Sequence, residues 1–208
     1  MVRRTKDEAE QTRNAILDAA EKVFYAHGVV RTSLEQIAAA AKVTRGAVYW
    51  HFKDKIELCQ AMFERVFLPQ EDMLERLATS PSASPLTDLR SACLESLSLL
   101  AKDKRRQRVV TILMFRCEYV EQMADAMKRR RECKDRMLQR CKRLFEQANN
   151  QNELRPGWPP HLAATTLHAL MGGLIMSGLE GRKVFDLRTT APSCLNAFFA
   201  SISSKNPD

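Results

Sequence analysis

The stretch TSLEQIAAAAKVTRGAVYWHF, residues 32–52, restricts the fold of this 208-residue chain more than any other segment. It contains two helix starts close together, at Ser33 and Thr44. Ser33 opens S-L-E-Q, where the hydroxyl can accept from the Gln36 amide while the Gln36 side chain reaches back to the Ser33 amide. Leu34, Ile37, Ala38 and Ala41 then form one apolar stripe at helical spacing. Val43 is placed to plug a tight turn, and Thr44 can cap a second short helix that buries Ala47, Val48 and Phe52. Two helices this short cannot form a core alone, so the pattern predicts a helix-turn-helix packed against a longer neighbour.

That neighbour precedes it. Ile16, Ala20, Val23 and Phe24 share one helical face, and His27-Gly28 is a suitable end because Gly adopts the left-handed cap conformation without strain. After the motif, Asp54 with Glu57 opens a fourth helix expected to run to about Leu77. TSPSASP (79–85) is a loop, and Pro85 suits the first turn of the next helix, to about residue 101. Further helices are expected at 103–117, 119–149, 161–180 and 192–203, with the polar, Pro-rich NNQNELRPGWPP (149–160) as a connection. No segment alternates with period two for long enough to suggest a sheet. The fold class is therefore all-α: about nine helices, with the helix-turn-helix in an N-terminal domain over 1–54 and a second helical domain over 55–208.

The second motif helix carries Arg45, Gly46, Tyr49, Trp50 and His51 besides its core positions. An arginine at the N-terminal end of a recognition helix can grip O6 and N7 of a guanine. Gly46 lets the backbone approach DNA closely. Tyr49, His51 and Lys55 suit phosphate contacts, Thr32 and Ser33 with the amides at the start of the first motif helix offer further phosphate donors, and Thr44, which starts the second, belongs to the same DNA-binding set. Trp50 is expected to pack against the first helix rather than to touch a base.

These residues carry a resemblance. TRNAILDAAEKVFYAHG, followed by TSLEQIAAAAKVTRGAVYWHFKDKIEL, closely resembles the TetR/AcrR family of bacterial repressors over about fifty residues. MVRRTKDEAEQTR, FRCEYVEQM (115–123) and GGL (172–174) are similar to its multidrug-efflux-pump repressors. One position departs from the pattern: the turn often carries Gly in the family and here carries Lys42, at a strain of about 1 kcal/mol if left-handed.

The resemblance implies an operator-binding homodimer joined through its last two helices. A dimer also follows from physics, since one recognition helix reads too few base pairs for genomic specificity. Leu167, Leu170, Met171, Leu174, Ile175 and Met176 make 161–180 apolar over much of its circumference, and Gly172, Gly173 and Gly178 permit close helix approach. In the family the middle helices enclose an effector pocket for hydrophobic, drug-like molecules. The residues placed to line it are Met62, Val66, Phe67, Leu89, Cys93, Leu97, Val110, Met114, Met137, Cys141, His168, Met171 and Ile175. At each of these the alternative is ordinary core packing. Glu118, Arg65 or Thr111 could orient a polar group of the ligand. Effector release is expected to work through the fourth helix, which joins the two domains and respaces the recognition helices. The competing readings are a same-fold regulator without a small-molecule effector, or one controlled by thiols.

Other classes are poorly served. The four histidines show no metal spacing, and there is no Gly-rich phosphate loop and no GxSxG, so neither an enzyme nor a metal or other cofactor is expected. The charged N terminus lacks a signal peptide's apolar stretch, and the longest apolar-and-Gly run, 169–176, is short of a membrane span, so the protein is expected to be cytoplasmic. Six scattered cysteines without a CxxC pair are expected as free thiols; a redox pair such as Cys133 and Cys141 would need lowered thiol pKa values. Net charge is +8. Residues 1–55 hold ten Lys/Arg against seven Asp/Glu, whereas KRRRECKDRMLQRCKR (128–143) holds nine against two. The surplus is thus not the footprint of the motif, and 128–143 is expected to be a solvated helix face.

Overall fold

A computed structural model describes residues 6–117, 124–180 and 185–204. The regular elements among them are helical: α1 (Lys6–His27), α2 (Leu34–Ala41), α3 (Arg45–His51), α4 (Lys55–Thr79), α5 (Pro85–Lys102), α6 (Lys104–Thr111), a π-helical turn (Ile112–Arg116), α7 (Ala124–Asn150), α8 (Pro160–Leu179) and α9 (Thr190–Ile202). Their packing forms two compact units, Met1–Phe67 with Arg105–Lys128, and Leu68–Lys104 with Arg129–Asp208. These units of packing do not follow the 1–54 and 55–208 division expected from sequence, which was drawn by role.

In the first unit α1, α2 and α3 close around Ile16, Leu17, Ala20, Phe24, Leu34, Ile37, Val48 and Phe52, all buried. Each joint has a local cause. Gly28 ends α1 at φ +81°, its amide donating to Phe24 O at 2.9 Å. Ser33 and Gln36 make the reciprocal capping box, at 3.2 and 2.8 Å. Lys42 ends α2 in the left-handed region, φ 56° and ψ 40°. Its amide donates to Ala39 O and that of Val43 to Ala38 O, the paired closure of a Schellman motif. Thr44 Oγ1 then accepts from Ala47 N at 3.1 Å and starts α3.

A buried charge cluster pins α1 from its other side. Glu21 is 1% exposed and ion-pairs with Arg65 of α4 and with Arg105 and Arg108 of α6, the latter two at 3.4 and 3.6 Å. Asp18, more open, pairs with Arg65 at 2.9 Å and Arg105 at 2.6 Å. Arg65 is thereby a structural ligand of Glu21. The helix expected to continue to 117 leaves α-geometry at Ile112, and the π turn brings Arg116 O to the Val29 amide at 3.1 Å. That contact lies across the chain, beyond the reach of any sequence periodicity.

In the second unit Leu89, Leu97, Leu144, Phe145, Leu167, Leu195, Phe198 and Phe199 are buried. Pro85 begins α5, whose Leu86 amide donates to the buried Glu153 carboxylate at 3.0 Å. The 149–160 connection makes an isolated β-bridge, Leu154 to Ser203. A Cβ on Gly178 would lie 2.6 Å from Leu187 Cδ1, so the Leu187 side chain packs directly against this glycine and would have to move for any larger residue. At Gly172 and Gly173 a Cβ would meet nothing within 4 Å in the protomer. The basic run on α7 is mostly the solvated face expected, with Arg131, Lys134, Arg136 and Arg143 exposed, but Arg140 turns inward to Glu71 and Glu75 of α4. Among the described residues, α8 is long and apolar enough in composition to cross a membrane. Counting uninterrupted apolar residues hid this, because scattered Thr, His and Ser break the run without making the helix polar.

Candidate nucleic-acid interface

Val48 is fully buried and Phe52 nearly so; they anchor α3 to the first unit. With about 100° of rotation per residue, Gly46, Tyr49 and Trp50 are turned well away from Val48, while Arg45 is set outward by its place at the N-terminal end of α3. Arg45, Gly46, Tyr49 and Trp50 are exposed, while His51 is half-buried. Trp50 corrects an expectation: it is 72% exposed and does not pack against α1. Two residues beyond Val48 it lies about 200° around the helix from the anchored side, so the core has no access to it. Its ring makes an edge contact with His51, centroids 4.5 Å apart.

Arg45 stands in the first turn of α3, held on two sides. Its Nε pairs with Glu35 Oε1 at 2.9 Å, and its guanidinium lies 5.3 Å from the Tyr49 ring centroid, with Nη2 donating to Tyr49 Oη at 3.4 Å. The Tyr49 hydroxyl, and with it the Glu35 carboxylate, holds Arg45 firmly protonated. The Glu35 carboxyl is lowered from its ordinary range by its own backbone amide, then by the Ser33 hydroxyl, with Arg45 adding less.

The remaining expected residues lie close by. Val30, Arg31, Thr32, Ser33, Leu34, Tyr49, Lys53, Asp54 and Lys55 line an open concavity of about 470 Å³ beside α3. Thr32 is buried, its hydroxyl donating to Gly28 O at 2.7 Å. Lys55 Nζ donates to Val29 O and Val30 O at 3.2 and 3.0 Å, fastening the start of α4 to the loop before α2. One of its three hydrogens then remains for a phosphate. The capping box engages the amides of Ser33 and Gln36. Arg31, Lys53 and Glu35 share this surface and were not singled out from sequence. Lys53 follows Phe52 directly and Arg31 precedes Thr32, so a search for cations beside the motif would have found both; Glu35 meets Arg45 only once the helices cross.

The residues expected to line an effector pocket fall in both units. Met62 and Val66 belong to the hydrophobic core of the first, where Val110 is also buried and Met114 half-buried. In the second, Leu89, Cys93, Leu97 and Cys141 are buried, and Met137, His168, Met171 and Ile175 half-buried. The Phe67 side chain and Glu118 lie outside the described residues. Burial, with Lys134 adding to it, lowers the His168 pKa and favours the neutral imidazole. The six cysteines are free thiols. Burial raises Cys141 to about 11, and burial together with the Glu71 carboxylate does the same for Cys133. Both shifts disfavour the thiolate that redox chemistry requires.

Against known proteins, residues 16–62 match the model for bacterial regulatory proteins of the tetR family. Residues 84–203 match the C-terminal region of MAATS-type transcriptional repressors. The HTH-type transcriptional repressor BepR of Brucella suis biovar 1 is 41% identical over 186 residues, 89% of each chain. The chain belongs to the TetR family. As a TetR-family repressor it superposes on NalD, the secondary repressor of the MexAB-OprM multidrug efflux pump of Pseudomonas aeruginosa, with a TM-score of 0.86 and 41% identity; the match covers 96% of this chain and 100% of NalD. It also matches SmeT of Stenotrophomonas maltophilia in complex with triclosan, with a TM-score of 0.84 and 35% identity, covering 95% of this chain and 98% of SmeT.

Proposed function

We propose that this TetR-type repressor controls a multidrug efflux pump, binding its operator as a cytoplasmic homodimer and releasing it when an apolar, drug-sized molecule binds. Residues 1–54 read the DNA, and 55–208 bind the effector and dimerise. The observation that carries the DNA-binding half is the outward set Arg45, Gly46, Tyr49 and Trp50 on a helix anchored by Val48. Arg45 reads a guanine; Tyr49, His51, Lys55 and the groove beside them grip phosphates.

Dimerisation is supported by α8, where Leu162 and Met176 are 43% and 49% exposed and Gly172 and Gly173 have open space around them within the protomer. Apolar surface of this kind on a helix favours a partner helix. The effector reading is supported by the likeness to SmeT, whose structure holds triclosan. Leu89, Cys93, Leu97, Met137, Cys141, His168, Met171 and Ile175 supply the apolar, adaptable lining such a ligand needs.

Release is a shift of population between two dimer states. Weakening operator binding a hundredfold requires roughly 2.7 kcal/mol of differential ligand binding. A gel-shift titration of the purified protein on its cognate operator DNA tests this, with triclosan as the first ligand and a panel of hydrophobic antibiotics after it. Dissociation at micromolar ligand supports the reading. Retention of the complex against the whole panel rejects the effector half.

A further inference from the structure

Arginine has five N–H donors, and a guanine takes two of them. In this protein the Arg45 side chain has few free choices. Glu35 occupies Nε at 2.9 Å, and Tyr49 lies against the guanidinium with its hydroxyl accepting from Nη2 at 3.4 Å. With Nε taken by Glu35, the Nε–Nη2 side edge is closed to a base, and the edge left to meet O6 and N7 at once is the end-on pair of Nη1 and Nη2. Glu35 itself stands on α2, in the turn tied down by the Ser33–Gln36 box. An anion there has a cost: it sits on the surface meant to face phosphates and weakens binding to DNA of any sequence.

We propose that Glu35 is a specificity-determining positioning residue, holding the Arg45 guanidinium by its Nε edge so that only the end-on edge reaches a base. It lowers general affinity for DNA and raises discrimination, because a pre-oriented arginine loses less freedom on docking at guanine and cannot readily swing to a phosphate instead. The proposal rests on the reading that Arg45 contacts a guanine.

The test measures binding of the full-length protein to its operator and to duplexes carrying each single-base change, for wild type, Glu35→Gln, Glu35→Asp, Arg45→Ala and the two double variants with Arg45→Ala. Thermal melts confirm that each variant is folded. Glu35→Gln is expected to raise affinity for random duplex about two- to fivefold at low salt. It is also expected to shrink the penalty for replacing the key guanine about fivefold. Glu35→Asp retains the charge at the start of α2, but its carboxylate falls about 1.5 Å short of Nε. It should therefore lose discrimination as Glu35→Gln does, whereas a role in stabilising the helix start would be rescued. Neither change should alter base preference once Arg45 is alanine. An unchanged guanine penalty in Glu35→Gln, full rescue by Glu35→Asp, or an equal effect in the Arg45→Ala background overturns the proposal. If Arg45→Ala alone leaves every base preference intact, the guanine reading has failed and the proposal goes with it.

Discussion

Replacing Glu21 by Ala gives a clear test of what holds the DNA-reading unit together. Glu21 is 1% exposed and faces Arg65, Arg105 and Arg108, which reach it from α4 and α6. Removing one partner of a fully buried ion pair costs about 3–5 kcal/mol, because the other charge is left uncompensated. Here the arginine side chains are 22%, 42% and 32% exposed, and Asp18 still pairs with two of them. Solvent and Asp18 therefore discount the loss to the lower end, about 3 kcal/mol. For a chain of this length that is a fall in Tm of about 6–12 °C. Asp18→Asn is the matched control: its side chain is 43% exposed, so removing its charge should cost under about 1 kcal/mol. Thermal and urea denaturation followed by circular dichroism read both variants, at low and at high salt. The Glu21→Ala loss should persist in high salt, since the carboxylate is out of solvent, while the small Asp18→Asn loss should shrink. Equal losses for the two, or a Glu21→Ala loss abolished by salt, would refute the claim that burial sets the cluster's strength.

Three further outcomes are expected. Lys42→Gly relieves a left-handed side-chain residue at φ 56° and should stabilise the protein by about 1 kcal/mol, raising Tm by about 2–4 °C; an unchanged or lower Tm contradicts the strain. Thr44→Ala removes the cap of the seven-residue α3 and should cost about 1 kcal/mol, read as a fall in Tm of about 2–4 °C; an unchanged Tm would mean that packing alone forms α3. Cys133, raised to about 11 mainly by burial and then by Glu71, should alkylate about a hundredfold more slowly at pH 8 than an ordinary thiol, and faster with rising pH toward 11. A thiol whose pKa is raised on folding contributes stability below its unfolded value, near 9, and that contribution should disappear as pH climbs through about 11. Rapid labelling of Cys133 at pH 7 would contradict this and revive thiol control.

What the chain discloses before folding is what local chemistry decides. The Gly28 cap, the Ser33–Gln36 box, the strained Lys42 and the Thr44 cap involve residues within five positions of each other, and all were legible. The features that sequence concealed are those made by crossings. Glu35 meets Arg45, Glu21 meets three arginines, and the π turn delivers Arg116 O to Val29, each between segments that no periodicity relates. Trp50 was misplaced because a large aromatic suggests burial, whereas its angle from Val48 dictates exposure. Met62 and Val66 show the limit of composition: an apolar side chain at helical spacing has the same signature in a core as in a ligand pocket, and these two lie in the core.

Guanine N7 methylation interference on the bound operator tests directly whether α3 enters the major groove, since N7 is exposed there and nowhere else on the duplex. Modified guanines should block the wild-type complex in two symmetric half-sites, one helical turn or a multiple of it apart, and interference at the base facing Arg45 should vanish in Arg45→Ala. Interference confined to one half-site, or at minor-groove adenine N3 alone, would contradict a symmetric pair of recognition helices.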